Sequence, residues 1–169
     1  HSFPTRRSSD LAAARIRGLL VPREDPAGRT PVRDWQRQLG QLMIGACGIS
    51  RCRSGLTAAL ESLSQLRQAS QEELRVADHG GANEELSRAL RLQDFLGLAD
   101  LMLRDALARE ESCGAHFREE HQSPDGEALR DDEHFAHIAA WEHRPGADPQ
   151  RHSEPLTFTL LQPSRRDYR

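Results

Sequence analysis

The sequence contains no lysine, so arginine supplies every permanently cationic side chain among its 169 residues. The 23 basic residues are outnumbered by 26 acidic residues, which gives a formal net charge of -3. Domains that bind nucleic acid carry a clustered excess of basic residues on one face. The composition therefore gives no reason to expect a nucleic-acid partner.

Cysteine is also scarce. Cys47, Cys52 and Cys113 are an odd number without a paired framework, which favours reduced thiols in a cytosolic compartment. The C-x4-C spacing of the first two has no second pair to complete a zinc site. His134 and His137 lie three apart in a predicted strand, where they would point to opposite faces. We predict no metal site.

Other signals of known function are missing as well. No apolar run approaches the about 20 residues needed to cross a bilayer. No glycine-rich nucleotide fingerprint follows a strand, and no Gly-x-Ser-x-Gly sequence occurs. From the residues alone, we therefore predict no catalytic residue, no cofactor-binding residue and no metal ligand.

The first ten residues have neither hydrophobic periodicity nor turn signals. His-Ser-Phe-Pro-Thr-Arg-Arg-Ser-Ser-Asp is what a common sequencing adapter encodes when it is translated in this frame. We expect residues 1–10 to be non-native, exposed and outside any natural fold. We also expect the natural protein to continue upstream of them.

Helical signals dominate the next hundred residues. Residues 11–30 predict a short helix and a Pro- and Gly-containing linker, and residues 31–112 predict three helices with breaks at Gly48 and at Gly80-Gly81. Thr30, Ser54 and Asn83 are the expected N-caps. The apolar stripe predicted for the third helix, over about 84–112, is Leu86, Ala89, Leu90, Phe95, Leu96, Ala99, Met102, Leu103 and Ala106. Three helices with short connections predict a three-helix bundle.

After Gly114, the expected helix stop, the pattern becomes that of an extended chain. Residues 123–126 predict a turn. Alternation predicts a strand over 134–143, and the apolar alternation at 156–160 predicts a second strand, joined to it by the polar residues 144–154. The fold class is therefore mainly α, and the bundle is followed over 113–169 by an extended segment with a β-hairpin.

Charge is concentrated where the last helix ends. Arg109, Glu111, His116 and Arg118 lie within ten residues of one another. One interpretation is a solvated helix end with weak surface ion pairs. The other is an interdomain docking network, in which arginines make directional two-oxygen bonds to carboxylates and fix this segment against another domain.

The same stretch resembles a known signature, R-x-E-S-R-G-A-H-x-R-x-D, in the C-terminal domain of succinate dehydrogenase and fumarate reductase flavoprotein subunits. Cys113 stands where many members have arginine, and Glu120 stands where many have aspartate. The run from Leu39 to Arg51 resembles a second pattern, L-G-x-x-M-x-x-x-x-G-x-x-R, and the resemblance covers nearly all of residues 31–169. The positions that match the signature are Arg109, Glu111, Ser112, Gly114, Ala115, His116 and Arg118.

This resemblance implies an oxidoreductase that interconverts succinate and fumarate with FAD and passes electrons to an iron–sulfur subunit. The FAD domain and the substrate-binding residues of the family lie upstream of its helical domain, so the resemblance carries no catalytic residue onto this chain. The implied partners are the chain's own FAD-binding domain, the iron–sulfur subunit and, through the complex, a membrane cytochrome b subunit. The implied location is peripheral, on the cytoplasmic side of the bacterial inner membrane.

Two alternatives stay open at this point. L-aspartate oxidases share the helical bundle, but the long two-strand tail after Asp132 argues against them. A stand-alone helical interaction protein would need a genuine N-terminus, and the adapter-like start argues against this alternative. The isolated chain, purified by itself, is predicted to hold no FAD and not to oxidise succinate.

Overall fold

The structure is a computed structural model that describes residues 6–23, 30–160 and 162–164. In these ranges no helix is long and apolar enough to cross a membrane. The helices are α1 (Arg6–Leu19), α2 (Val32–Cys47), α3 (Arg53–Glu73), α4 (Glu84–Ala108) and α5 (Asp132–Phe135). The strands are β1 (Leu20–Val21), β2 (Ser50–Arg51), β3 (Val76–Ala77), β4 (Phe117–Arg118), β5 (His137–Glu142) and β6 (Gln150–Pro155).

The chain divides into two compact units, and α2, α3 and α4 each contribute residues to both. The first unit comprises His1–Leu42 and Ser62–Leu98. In it, β1 pairs in parallel with β3, and Arg15 donates to the carbonyl of Leu90 at 3.1 Å. The buried apolar residues of this unit are Val32, Trp35, Leu39, Leu63, Leu74, Val76, Ala89, Leu92 and Leu96.

The second unit comprises Met43–Glu61 and Ala99–Arg169. In it, β2 pairs in parallel with β4, and β5 pairs antiparallel with β6 in the register His137 to Pro155 through Glu142 to Gln150. Its buried apolar residues are Cys47, Leu56, Ala59, Ala99, Leu103 and Ala106, and its buried polar residues are Glu111, Ser112, His116 and Arg118.

The predicted fold class is confirmed, because three long helices are followed by a β-hairpin. The Asn83 cap is also confirmed: its Oδ1 accepts from the N–H of Leu86 at 3.0 Å. The turn at 123–126 forms with the N–H of Gly126 donating to the carbonyl of Ser123 at 2.9 Å, and Gly126 has a φ of 83°. The domain boundaries at residues 10, 30 and 113 stay predictions.

The end of the last long helix differs from the prediction. Helix α4 ends at Ala108, not near residue 112. Gly114 does take the left-handed conformation, with a φ of 61°, but it lies in a tight turn in which Cys113 and His116 exchange backbone hydrogen bonds. The helix ends earlier because a side chain from outside it takes up its final carbonyl groups, as described below.

The second strand was predicted in the wrong place. The polar residues 150–155 form β6, while Leu156, Phe158 and Leu160 are exposed at 43%, 40% and 94% and lie outside any strand. The reason is register: Gly146, with a φ of 75°, makes a turn close to β5, and an antiparallel partner is fixed by its distance from the turn. The first strand begins late, at His137, because Asp131 caps the one-turn helix α5 through the N–H of His134.

Three smaller predictions also need correction. Helix α1 starts at Arg6 and not at Leu11, so it includes part of the adapter-like segment. In that segment Ser9 and Asp10 are exposed, while residues 1–5 lie outside the described residues. The thiol of Cys52, not Ser54, accepts the capping hydrogen bond of α3, from Gly55 N–H at 3.4 Å. In α4, the predicted core positions Phe95 and Met102 are exposed at 47% and 46%, whereas Leu92 is buried.

Candidate functional site: a buried polar network after α4

The structure brings the four predicted network residues together within the second unit. Glu111, His116 and Arg118 are exposed by only 3%, 6% and 0%, and the Arg109 side chain by 35%. Polar side chains are rarely buried to this degree unless their hydrogen-bonding groups are paired. The interpretation as a solvated helix end is therefore wrong for three of the four residues.

Arg118 lies at the end of α4 and takes up its carbonyl groups. Its Nη1 donates to the carbonyls of Ala106 at 3.0 Å, Leu107 at 3.3 Å and Arg109 at 3.2 Å. The last carbonyls of a helix have no partner within the helix and carry its negative partial charge. A buried guanidinium at this place satisfies both the hydrogen bonds and the charge, which explains why α4 ends at Ala108.

The backbone of Arg118 is fixed as well. Its N–H donates to the Ser112 hydroxyl at 2.8 Å, and that hydroxyl lies 3.2 Å from the Arg118 carbonyl, to which it donates in turn. Its Nε donates to Glu120 Oε2 at 3.1 Å. Within the described residues, Nη2 of Arg118 is buried without a hydrogen-bond partner.

Glu120 lies at the edge of the network. Partial burial pushes the pKa of its carboxyl upward, but hydrogen bonds from the Arg53 N–H and the Arg118 guanidinium outweigh burial, so the pKa is lowered. The carboxylate therefore stays ionised at neutral pH. It compensates the buried charge of Arg118 from the solvent side.

Arg109 and Glu111 form the second ion pair, with a geometry that differs from the predicted two-oxygen arrangement. Arg109 Nε and Nη2 both donate to the same oxygen, Glu111 Oε1, at 2.8 and 2.6 Å. The other oxygen, Oε2, accepts from the backbone N–H of Asp131 at 3.0 Å. Glu111 thus ties the end of α4 to the chain that enters α5.

His116 is held at both ring nitrogens. Its Nδ1 lies 2.6 Å from Arg51 Nη1, and its Nε2 lies 3.0 Å from the carbonyl of Arg109. A guanidinium can only donate and a carbonyl can only accept, so Nδ1 must be the acceptor and Nε2 must carry the proton. The arrangement requires the neutral Nε2–H tautomer.

Electrostatics favour the same state. Burial lowers the pKa of His116 below its ordinary 6.5, and the positive charges of Arg51, Arg109 and Arg118 lower it further, while the bond to the Arg109 carbonyl opposes the shift. A histidine in this environment is neutral at pH 7.

Sequence reasoning did not assign Arg51 and Ser112 to the network. Arg51 lies 65 residues before His116, which it contacts because β2 pairs with β4. Both residues fall on the family patterns quoted above, and this was the available signal. Nothing in the local sequence indicates the strand pairing that joins them.

A cavity of about 310 Å³ adjoins the network in the second unit. Its arginines are already paired: Arg109 with Glu111, Arg130 with Asp132, and Arg151 Nε with Asp105 at 3.7 Å. Although it lies at ion-pair distance from Asp105, the buried Nε of Arg151 has no hydrogen-bond partner among the described residues. In the described part of the chain, no three His, Cys, Asp or Glu side chains group as a metal ion would need.

Solved structures with this architecture are known. A structure of E. coli quinol fumarate reductase superposes on 97% of this chain with a TM-score of 0.68 and 22% sequence identity, over 27% of the longer chain. The Mycobacterium smegmatis Sdh1 complex in the apo form gives a TM-score of 0.70 over 95% of this chain and 27% of that chain, with 18% identity. The fold is thus that of about a quarter of each of these longer chains.

Sequence comparison then gives the family. The family profile described as "Fumarate reductase flavoprotein C-term" matches residues 36–168, so this chain belongs to that family. The fumarate reductase flavoprotein subunit of Mycobacterium tuberculosis is 33% identical over 170 residues, which cover 95% of this chain and 27% of that protein. The chain therefore spans about a quarter of the length of this relative.

Proposed function

We propose that this chain is the helical C-terminal domain of a flavoprotein subunit that interconverts succinate and fumarate. The observation that carries the proposal is the family match over residues 36–168. FAD, bound by a separate upstream domain, supplies the hydride-transfer chemistry, and electrons pass from it to an iron–sulfur subunit. The protein around such a cofactor supplies binding, orientation and electrostatics.

The role proposed for this domain is structural. His116 has both ring nitrogens occupied, and Arg118 is fully buried on helix carbonyls. A general acid or base must reach its substrate, and these groups are engaged in holding the chain. The network therefore shapes the surface formed by residues 109–131, and the half-exposed Arg109 is the member available to the FAD-binding domain.

The complex proposed for the whole protein follows the names of the similar structures. The Sdh1 complex among the similar structures supports an assembly of several subunits, and the family resemblance implies that these include an iron–sulfur subunit and a membrane cytochrome b subunit. The domain would then be peripheral, on the cytoplasmic side of a bacterial inner membrane. The domain itself contributes fold and contacts, not an electron carrier.

A domain exchange tests the proposal. The corresponding C-terminal quarter of the M. tuberculosis fumarate reductase flavoprotein subunit would be replaced by residues 31–169 of this chain and purified with its partner subunits. We expect bound FAD and succinate–fumarate interconversion within about tenfold of the parent, a loss near 1.4 kcal/mol. The control is the same subunit truncated without replacement.

Two outcomes contradict the proposal. One is an exchanged subunit that folds and holds flavin but is no more active than the truncated control. The other is an isolated 169-residue chain that is yellow or reduces a dye with succinate, because the proposal assigns both properties to the upstream domain.

The structural role has its own test in the exchanged enzyme. We expect His116→Ala to lower the melting temperature and the yield of assembled complex, while turnover per bound flavin changes less than about threefold. His134→Ala is the matched control, since that histidine is exposed and pairs with Asp131. A thousandfold loss of turnover per flavin with unchanged stability would make His116 catalytic.

A further inference from the structure

His116 lies where two short strands from distant parts of the chain meet. Strand β4 follows His116 directly and pairs in parallel with β2; the backbone bonds that flank this pair include Phe117 N–H to the carbonyl of Ile49 at 3.2 Å and Glu119 N–H to the carbonyl of Arg51 at 2.9 Å. The imidazole adds a side-chain link, from Arg51 Nη1 to Nδ1 at 2.6 Å. A two-residue strand pair is marginal by itself, so this side-chain link adds to what holds it.

This link depends on the protonation state of the ring. Nδ1 accepts from a guanidinium, which has no lone pair to offer in return. A proton on Nδ1 would place two N–H groups against each other and add a positive charge beside Arg51. The hydrogen bond would then be replaced by a repulsion.

The groups around the ring do not compensate that charge. The positive charges of Arg51 in β2, Arg109 just after α4 and Arg118 in β4 all act on the ring. Of the nearby carboxylates, Glu111 is paired with Arg109 and with the Asp131 N–H, and Glu120 is paired with Arg118 and the Arg53 N–H.

The remaining acidic groups are also engaged elsewhere. Glu110 pairs with Arg53, and Glu119 accepts from the Ser50 hydroxyl. Among the contacts of the described residues, Cys113 and His116 are joined only by backbone hydrogen bonds. The ring therefore lies in a cluster of three arginines. Each of the acidic neighbours named above is already paired, either with an arginine or with an N–H or O–H donor.

We propose that His116 is a proton-operated latch that holds β4 on β2 when neutral and releases it when protonated. The latch is a property of this domain and does not depend on the enzymatic role proposed above. Its direction follows from linkage. Because the pKa of His116 is lowered in the folded chain, its contribution is fully present above the ordinary value of 6.5 and is lost as the pH falls from there through the lowered pKa.

The test uses the 169-residue chain labelled with ¹⁵N-histidine. NMR at pH 7.5 should show His116 as the neutral Nε2–H tautomer, and titration should give a midpoint below 6.5. Amide hydrogen exchange, corrected for the intrinsic rate at each pH, should show protection of Phe117 and Glu119 falling by about tenfold as His116 protonates, the factor expected for one lost hydrogen bond to a charged group.

Two controls separate the latch from general acid loosening. The parallel pair β1–β3, reported by the Asp78 N–H that donates to the Val21 carbonyl at 2.8 Å, should keep its protection over the same range. His116→Asn places a non-titrating acceptor near Nδ1, and in this variant protection of Phe117 and Glu119 should not follow the pH.

Several results would overturn the latch. They are the Nδ1–H tautomer at neutral pH, constant protection of Phe117 and Glu119 through the His116 titration, or a His116→Asn variant that keeps the wild-type pH dependence. If the Asn variant does not fold, Arg51→Gln decides the matter. Removing that charge must raise the His116 midpoint and shrink the acid loss of protection, because the glutamine amide can donate to the neutral ring or accept from the protonated one; an unchanged midpoint contradicts the proposal.

Discussion

Two neighbouring regions of the second unit are equally buried by opposite chemistry. In the last turns of α4, the apolar side chain of Leu103 is 0% exposed. A few residues later, Arg118 is also 0% exposed, and it is held by hydrogen bonds to three carbonyls and a carboxylate. The stability of the first region comes from apolar burial, which does not depend on the orientation of individual groups. The stability of the second region comes from hydrogen bonds, which require individual atoms to be correctly placed.

The two regions should therefore differ in their sensitivity to substitution. Apolar burial scales with area, and neighbouring side chains can partly close a gap. A buried ionic network cannot relax in this way, because removal of one member leaves the others desolvated and unpaired. Single substitutions should therefore cost more after α4 than within it.

The largest effect should come from Arg118→Met, which keeps the side-chain length and removes the charge. The carbonyls at the end of α4 and Glu120 would lose their partner, and we expect the free energy of unfolding to fall by about 4 kcal/mol. Urea denaturation measures it. Arg53→Met, at an exposed ion pair with Glu110, should cost less than about 1 kcal/mol, and equal costs for the two variants would remove the contrast.

The apolar counterpart is Leu103→Ala. Truncating a fully buried leucine should cost about 3 kcal/mol from lost transfer energy and the remaining cavity. Met102→Ala, one residue away but 46% exposed, is the control and should change stability by less than about 1 kcal/mol. If Leu103→Ala lowered the free energy of unfolding by more than Arg118→Met does, the polar network would not be the more sensitive region.

Glu111→Gln examines charge at constant shape. The amide can replace only part of what the carboxylate accepts from Arg109 and Asp131, so we expect a loss of about 2 kcal/mol. Thermal unfolding at several salt concentrations would show this cost to be nearly independent of salt, since buried pairs are little screened. Glu84→Gln, at an exposed pair with Arg88, should cost little and vary with salt.

The smallest effect is expected in the hairpin, which is mostly exposed. Trp141→Phe removes the indole N–H that donates to Asp105 Oδ1 at 3.0 Å and should cost about 1 kcal/mol. Ile138→Val, on the other face of β5 and 56% exposed, should be close to neutral. Should both variants behave alike, the hairpin would not be fastened through Trp141.

The sequence predicted much of the helical part. Apolar spacing located three long helices, the Asn83 cap was correct, and the Ser123–Gly126 turn formed as its residues indicated. These features depend on contacts within a few residues of one another, so local pattern suffices. The misplaced second strand shows the limit: the apolar alternation at 156–160 resembles a strand, yet register with β5 selected 150–155.

The docking role of Arg109, Glu111, His116 and Arg118 stays a prediction, and the sequence did not assign Arg51 and Ser112 to the same network. Four charged residues close together in sequence could be identified as one group, and the family signature supported them. The contact between Arg51 and His116 depends on β2 meeting β4 across 65 residues.

Helix periodicity and motif spacing are local properties of the chain, so the helical class, the family resemblance and the place where the charges concentrate could be inferred from the sequence. Which of those charges are buried, where α4 ends and which tautomer His116 adopts depend on contacts between distant parts of the chain. The physical reason is that a buried charge is stable only against particular partners. Those partners, the end carbonyls of α4 and the guanidinium of Arg51, are brought together by the fold.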